Sequence, residues 1–334
     1  MKYIVVLLLG LCFLSSCDKE EADSKLEIES STTAAKYHFI GRSVGFSVSQ
    51  MYVDSTMGED FYLGSVWGLK DTLPNLSLIS PEKHRKAFKI AVKSSNSVHK
   101  AGKFVPSFTR MRDYARKNQD RDGVSVTSST GYSVADFFDY RAIRYYLNNS
   151  ADVNTVLRLV KHNDSTTIRR KYGYLMHNES IAFTLMTQFN EFSAAFSRKD
   201  VGQRESSDLK PYYVNSVNYG THTILMAESD YPRADFEGAL DKLQTGQPLT
   251  PIDVAILEES DLLIYLRGGA KDSYIKQASG LLGIKTLITE FHKERKVQQN
   301  KFDFPISYSL RSLADFSLLK FWYSYDFLER VEKE

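Results

Sequence analysis

The stretch Tyr212–Met226, "YYVNSVNYGTHTILM", decides how this chain is read. It holds no proline, one glycine and almost no charge. It reads as one β-strand, about three times the usual ~5–6 residues. At ~3.3 Å per residue it would reach ~50 Å. Tyr213, Val217, Tyr219 and Leu225 alternate onto one face, and Val214, Ile224 and Met226 onto the other. Apolar residues on both faces predict a strand covered from both sides. Gly220 interrupts it, which lets the strand bend or be approached closely.

Strands of similar character recur along the 334 residues. Val44, Phe46 and Val48 alternate within 37–53, and Phe88, Ile90 and Val92 alternate with Lys89 and Lys93. Ile181, Phe183, Leu185 and Phe189 mark another strand, "LLIYLRGG" at 262–269 a short apolar one, and the alternating aromatics Phe321–Phe327 the last. Period-two alternation is the strand signature. Helical spacing appears at 106–118 and at 274–291, where Gly280 and Gly283 weaken the pattern by ~1 kcal/mol each. "SVADFFDYRAIRYYLNN", from Ser133, fits helix or strand. "RADFEGALDKL" at 233–243 also fits both, and can present one apolar face in either state. There is no internal repeat and no βαβ rhythm, which predicts an α+β fold with a large antiparallel sheet.

Composition narrows the function. The chain is 42% hydrophobic and 25% charged, enough for a core, and its net charge of +2 excludes a nucleic-acid-binding footprint. Lys2 followed by the apolar run Ile4–Leu14 is too short to span a bilayer and fits a secretory signal. It ends in Leu14-Ser15-Ser16-Cys17, which resembles a bacterial lipobox with Cys17 as the lipidated residue; an ordinary signal peptide with a chance cysteine is the alternative. The polar tract to about Ala35 reads as a tether. The expectation is an exported protein, lipid-anchored to the outer membrane at the cell surface, or released. Cys12 and Cys17 are the only cysteines, so the folded domain would hold neither disulfide nor reactive thiol.

Catalytic chemistry finds no residue set. The seven histidines are scattered, with no H-E-x-x-H, no G-x-S-x-G and no phosphate-binding glycine loop. No catalytic residue, metal ligand or cofactor is expected. His222 reads as a structural strand histidine, and the basic runs at Lys83–Lys86 and Arg169–Lys171 as solvated faces.

The order of pieces resembles the thiol-activated, cholesterol-dependent cytolysins. "PYYVNSVNYGTHTILMAESD" is similar to that family's Val-x-x-Val-x-Tyr-Gly strand, carried here by Val214, Val217, Tyr219 and Gly220. "LLIYLRGG" is similar to its strand ending in Gly-Gly, "FPISYSL" to its Pro-Ile-Ser-Tyr strand and "FYLGSVWG" to its Tyr-Pro-Gly-Ala strand. The resemblance runs from Tyr37 to the C-terminus. It implies a large bent antiparallel sheet flanked by two helical clusters, a cytolysin or membrane-attack-complex-like core. Each cluster would unfurl into a membrane-crossing β-hairpin, and many subunits would close one barrel.

Carried onto this chain, the resemblance implies a signal peptide at 1–16 and a lipidated tether at 17–36. A connecting β region would lie at 37–56 and 308–334, and an upper α/β region at 57–133, 195–210 and 293–307. The pore-forming-type sheet would occupy 134–194 and 211–292, with strands at 134–147, 179–194, 211–228 and 259–268. Its convertible segments would be 148–178 and 229–258. Gly268 and Gly269 would form the hinge of a short edge strand. Phe138 or Tyr140 and Leu262 or Tyr265 are the candidates for the family's inter-subunit aromatic stack. Val153, Leu157, Ala234, Phe236 and Leu240 are the membrane-insertion candidates. The family's C-terminal β-sandwich would be missing, together with its Trp-rich, Cys-containing loop, so cholesterol binding is not implied. The expected partners are further copies of the chain or a related longer subunit, and a target membrane. A non-lytic surface binding or structural lipoprotein, or the accessory subunit of a two-component pore, is the alternative.

Overall fold

The structure, a computed structural model, describes residues 37–54, 56–69, 76–78, 87–94, 98–119, 129–148, 150–188, 209–268, 271–298 and 302–332. Cys17, the tether and Gly269 lie outside them.

The long strand exists and is longer than its sequence pattern suggests. β9, Lys210–Ser229, runs 20 residues. Along one edge it pairs antiparallel with β8, Tyr172–Thr187, from Ser229 back to Ser216. Its other edge is shared. Residues 221–229 pair with β10, Ser260–Gly268, and residues 212–219 with β12, Pro305–Ser312. Gly220 is the point of exchange. On the β8 side the register also shifts there, between Ile181 and Phe183. A Cβ on Gly220 would stand 1.9 Å from the Ser180 carbonyl oxygen. The glycine is therefore required by close approach.

β8 is divided in the same way. Its first half pairs with β7, Ser129–Asp136, and its second half with β5, Phe88–Ser94, which continues to β6, Val98–Phe104. β11, Lys271–Ser279, closes the edge beyond β10. With β2 (Met51–Tyr52), β3 (Val66–Leu69) and β4 (Leu76–Leu78) these strands make one eleven-stranded sheet among the described residues. β1, Tyr37–Val48, and β13, Phe321–Glu332, form a separate two-stranded antiparallel ribbon. The expected α+β architecture with a large antiparallel sheet is present. Helix α1, Phe108–Gln119, packs Met111 and Ala115 against the upper core around Phe183, Val217 and Tyr219.

Three sequence expectations are corrected. A strand over 134–147 is not formed: β7 stops at Asp136, and a 3₁₀ turn at Tyr140–Ile143 leads into α2, Arg144–Leu147. Asp139 stops the strand, because its carboxylate caps the turn, accepting from the Arg141 backbone N at 2.9 Å and from Thr166 Oγ1 at 2.8 Å. The helix expected over 274–291 is strand β11 followed by α6, Gly280–Gln298, with the break at Gly280, whose φ is +69°. Ile275 and Ala278 thus belong to the sheet. The segment 148–178 is only partly helical, as α3, Ala151–Val160, since residues 172–178 already belong to β8.

Candidate functional site: two helical connections on one sheet

The lower strands lie in the order β7–β8–β9–β10, with β11 outside β10. Two of their connections are unusual. Residues 137–171, holding α2 and α3, join β7 to its own neighbour β8. Residues 230–259, holding α4 (Arg233–Thr245) and α5 (Pro251–Glu258), join β9 to its neighbour β10. Adjacent antiparallel strands need only a two-residue turn. Here each turn is replaced by a folded helical cluster.

The clusters cover opposite faces of the same strands. Leu262, Ile264 and Leu266 of β10 pack with Phe236, Leu240, Ile256 and the α6 residues Ile284 and Ile288. Leu263 and Tyr265 pack on the other side with Val153, Val156, Leu147 and Tyr140. Every residue of β10 is consequently buried. This answers the mixed faces of the long strand, where Leu225 and Ala227 meet the α4–α5 cluster while Ile224 and Met226 meet the α3 cluster.

Val153, Phe236 and Leu240 are buried anchors of their clusters, Leu157 is half-buried at the margin, and Ala234 is exposed on the first turn of α4. The apolar pattern at 233–243 is helical here, ending at Gly246 with φ +70°. Phe138 and Tyr140 sit beyond β7, in the capped turn. Tyr140 is buried edge-to-face with Phe137, and Arg330 lies over the Phe138 ring at 4.9 Å. Leu262 and Tyr265 point to opposite faces of β10, as their odd spacing requires. The four stacking candidates are not brought together: Tyr140 shares a core with Tyr265, Phe138 packs at its margin, and Leu262 lies across the sheet.

Gly268 ends β10 with φ +92°, and a Cβ on it would fall 2.2 Å from the Gly220 carbonyl oxygen and 2.5 Å from Ile306 Cγ2. The β10–β11 register shifts between Arg267 and Gly268. β11 therefore leaves β10 through a left-handed residue packed directly on the exchange point of β9.

Polar groups tie the clusters down, and sequence reasoning did not find them. Arg267, 1% exposed, reaches Asp152 of α3 at 3.2 Å and Asp272 of β11 at 2.6 Å. Tyr265 OH donates to the same Asp152 carboxylate at 3.1 Å. In the loop Arg169–Lys171, Arg169 and Lys171 are exposed as expected, but Arg170 is half-buried and engaged. The Arg170 backbone N donates to Glu228 at 3.0 Å, and its side chain pairs with Asp261 and Asp230 at 3.0 and 3.1 Å. In sequence the only signal was the acidic pair Glu228 and Asp261 placed inside otherwise apolar strands. In α5, Thr250 and Asp253 form a capping box that Lys242 of α4 joins at 2.8 Å.

His222 has a partner too. Its Nε2 lies 3.0 Å from Nε2 of His177 on β8, and Tyr52 stacks on its ring at 4.3 Å. Burial holds His177 down to about 4, and burial, with help from His177 and Arg267, holds His222 well below its usual range. Glu179, next but one to His177, accepts from Gln50 at 2.9 Å, and burial raises its carboxyl. Among the described residues no cluster of three or more His, Cys, Asp or Glu could hold a metal ion. No described helix is long and apolar enough to cross a membrane.

The chain matches no family model and no curated protein. Solved structures do match. Wild-type pneumolysin aligns with a TM-score of 0.58 at 17% identity, covering 96% of this chain and 69% of that one. The chain has the cytolysin fold. Intermedilysin, described as a human-specific toxin, gives 0.55 at 17% identity, covering 93% and 69%. Listeriolysin O gives 0.58 at 13% identity, covering 97% and 68%. The cytolysin fold thus extends over nearly all of this chain and about 70% of each neighbour.

Proposed function

We propose that the chain is a pore-forming, cytolysin-like protein that self-associates and inserts β-hairpins into a target membrane. One observation carries this reading: both helical clusters are the connections of adjacent antiparallel strand pairs. A hairpin that crosses a bilayer takes two strands of ~9–11 residues and a tight turn. Residues 137–171 and 230–259 are each long enough. Extending β7–β8 and β9–β10 downward would convert them without changing any existing strand pairing.

The edges of the lower sheet fit head-to-tail assembly. β7 pairs only with β8 among the described strands, and β10 is covered on its outer edge by the short β11. A guarded edge is the normal defence against pairing with other chains. Release of β11 at Gly268 and Gly269 would expose β10 to the β7 edge of the next copy, a heterologous contact that closes into a ring. The closed barrel would satisfy every backbone group in lipid. Gly268 and Gly269 are the proposed hinge, and Val153, Leu157, Ala234, Phe236 and Leu240 the proposed insertion residues. Phe138, Tyr140, Leu262 and Tyr265 remain candidates for contact between subunits. Cys17 is the proposed lipid anchor on the outer surface, and a longer related subunit is the alternative partner.

The test is dye release from liposomes combined with electron microscopy of the membranes. Leakage with ring-shaped oligomers is expected. Monomers on every membrane tried, without leakage, sink the reading in favour of a non-lytic surface protein.

A further inference from the structure

Strand β10 carries two charged residues in an otherwise apolar run, Asp261 and Arg267, 3% and 1% exposed. They stand near the two ends of its pairing with β11, where Asp261 faces Ser279 and Arg267 faces Ser273.

Each reaches in two directions. Arg267 Nη2 donates to Asp272 Oδ1 of β11 at 2.6 Å, and its Nη1 donates to Asp152 Oδ2 of α3 at 3.2 Å. Asp261 accepts from Ser279 Oγ of β11 with Oδ1. With Oδ2 it accepts from Arg170 Nε at 3.0 Å, in the loop that closes the connection 137–171. Both residues thus hold the edge strand with one contact and the first helical cluster with another. The α4–α5 cluster shares an apolar core with Tyr274 and Ala278 of β11. Among the described residues, no ion pair or side-chain hydrogen bond joins 233–258 to β11.

Burial turns these shared contacts into a linkage. Parting a buried ion pair strands a charge in a dry site, whereas parting one in water costs little. When β11 leaves, the edge of β10 opens and water reaches the Arg267 guanidinium. The pair with Asp152 then holds α3 far less firmly. When α3 leaves, the same guanidinium is wetted from the other face, and its hold on Asp272 weakens in turn. Such a linkage is reciprocal by thermodynamic necessity.

We propose that Arg267, seconded by Asp261, couples β11 to the 137–171 connection, so that opening of either loosens the other while the α4–α5 cluster opens independently. For the pore-forming reading this makes release of the edge strand and departure of the first cluster one event. That consequence rests on the reading; the coupling itself belongs to the single folded chain and is measured without a membrane.

Native-state hydrogen exchange of the full-length protein, resolved by peptide mass, reads such local openings. Asp272→Ala is well suited, because that side chain is 43% exposed. It should speed exchange at least ~10-fold in 151–160 as well as in 271–279, with 233–245 changed less than ~2-fold. Ser279→Ala, at the other end of β11, should act in the same sense. Val156→Ala trims a fully buried α3 side chain and touches neither tie; it should speed 271–279 as well as 151–160. In the Arg267→Met, Asp152→Leu, Ser279→Ala protein, Val156→Ala should still speed 151–160 but leave 271–279 within ~2-fold. Acceleration confined to the mutated element overturns the proposal. So does equal acceleration of 151–160, 233–245 and 271–279, which is a general loss of stability, or an undiminished spread in the protein lacking both ties. Dye release plays no part in these outcomes, so a failure here is told apart from a failure to form pores.

Discussion

Arg267 of β10 and Asp152 of α3 meet at 3.2 Å with both side chains almost wholly buried, 1% and 2% exposed. This pair joins the strand that would pair with a neighbouring subunit to the helix that would leave the sheet. Two charges out of water need partners, and although Arg267 also holds Asp272 and Asp152 also accepts from Tyr265 OH, the buried countercharge of each is chiefly the other. Arg267→Met should cost ~3–5 kcal/mol in urea denaturation, because it strands the Asp152 carboxylate. Adding Asp152→Leu should recover most of that loss. Equal stability of the single and double variants would show that the pair is not coupled.

The glycines give a graded set. Gly220→Ala places a Cβ against the Ser180 backbone, and Gly268→Ala adds a disfavoured φ to a backbone clash. Each should lose at least ~1–3 kcal/mol through overpacking, with Gly268→Ala the worse. Gly238, mid-way along α4, meets nothing within 4 Å. Gly238→Ala should therefore gain ~0.5–1 kcal/mol from helix propensity. Urea midpoints of the three variants check the order.

Acid should loosen the seam of the sheet. His177 and His222 are held neutral by burial, His177 down to about 4. The unfolded chain takes up these protons below ~6.5 while the fold does not. Stability is thus lost as pH falls from ~6.5 toward the folded values, by up to ~1.4 kcal/mol per pH unit for each histidine. Glu179 acts in the opposite sense. Its raised carboxyl lets the fold bind a proton before the unfolded chain does, which offsets part of the loss at the acid end. Melting temperatures across this range should fall with pH, and Glu179→Gln should steepen the fall. A flat profile in both proteins would contradict the assignment.

The edge strand can be stapled. Leu262 and Ala278 are partners across β10 and β11. Cysteines at both positions should form a disulfide that keeps β11 in place. If assembly needs β10 exposed, the oxidised protein should lose dye release at least ~10-fold, and a reductant should restore it, a change of about 1.4 kcal/mol or more in the controlling step. Equal leakage in both redox states would remove edge release from the mechanism.

The strands were legible because their alternation is a local property. β9, β10, β12 and β13 stood in the sequence, whereas 233–243 fitted helix and strand alike, and the structure makes it helical up to Gly246. Asp139 was not legible as a strand terminator: its cap on the Arg141 backbone N is local, but the Thr166 hydroxyl that also holds its carboxylate is 27 residues away. Nor was the break at Gly280, since Ile275, Ala278, Leu281 and Leu282 keep helical spacing across it.

By itself the sequence determined that the chain builds long strands, including one apolar on both faces, interrupted at Gly220. Only the tertiary structure decided what that interruption is for. At Gly220 one edge of β9 passes from β12 to β10, and Gly268 packs onto it closely enough to exclude any side chain. The polar ties were likewise invisible, because Arg267 with Asp152, and His177 with His222, are distant in the chain and meet only once the sheet has formed. Burial then gives them their weight, since a charge or a neutral imidazole matters energetically only after water has been removed from around it.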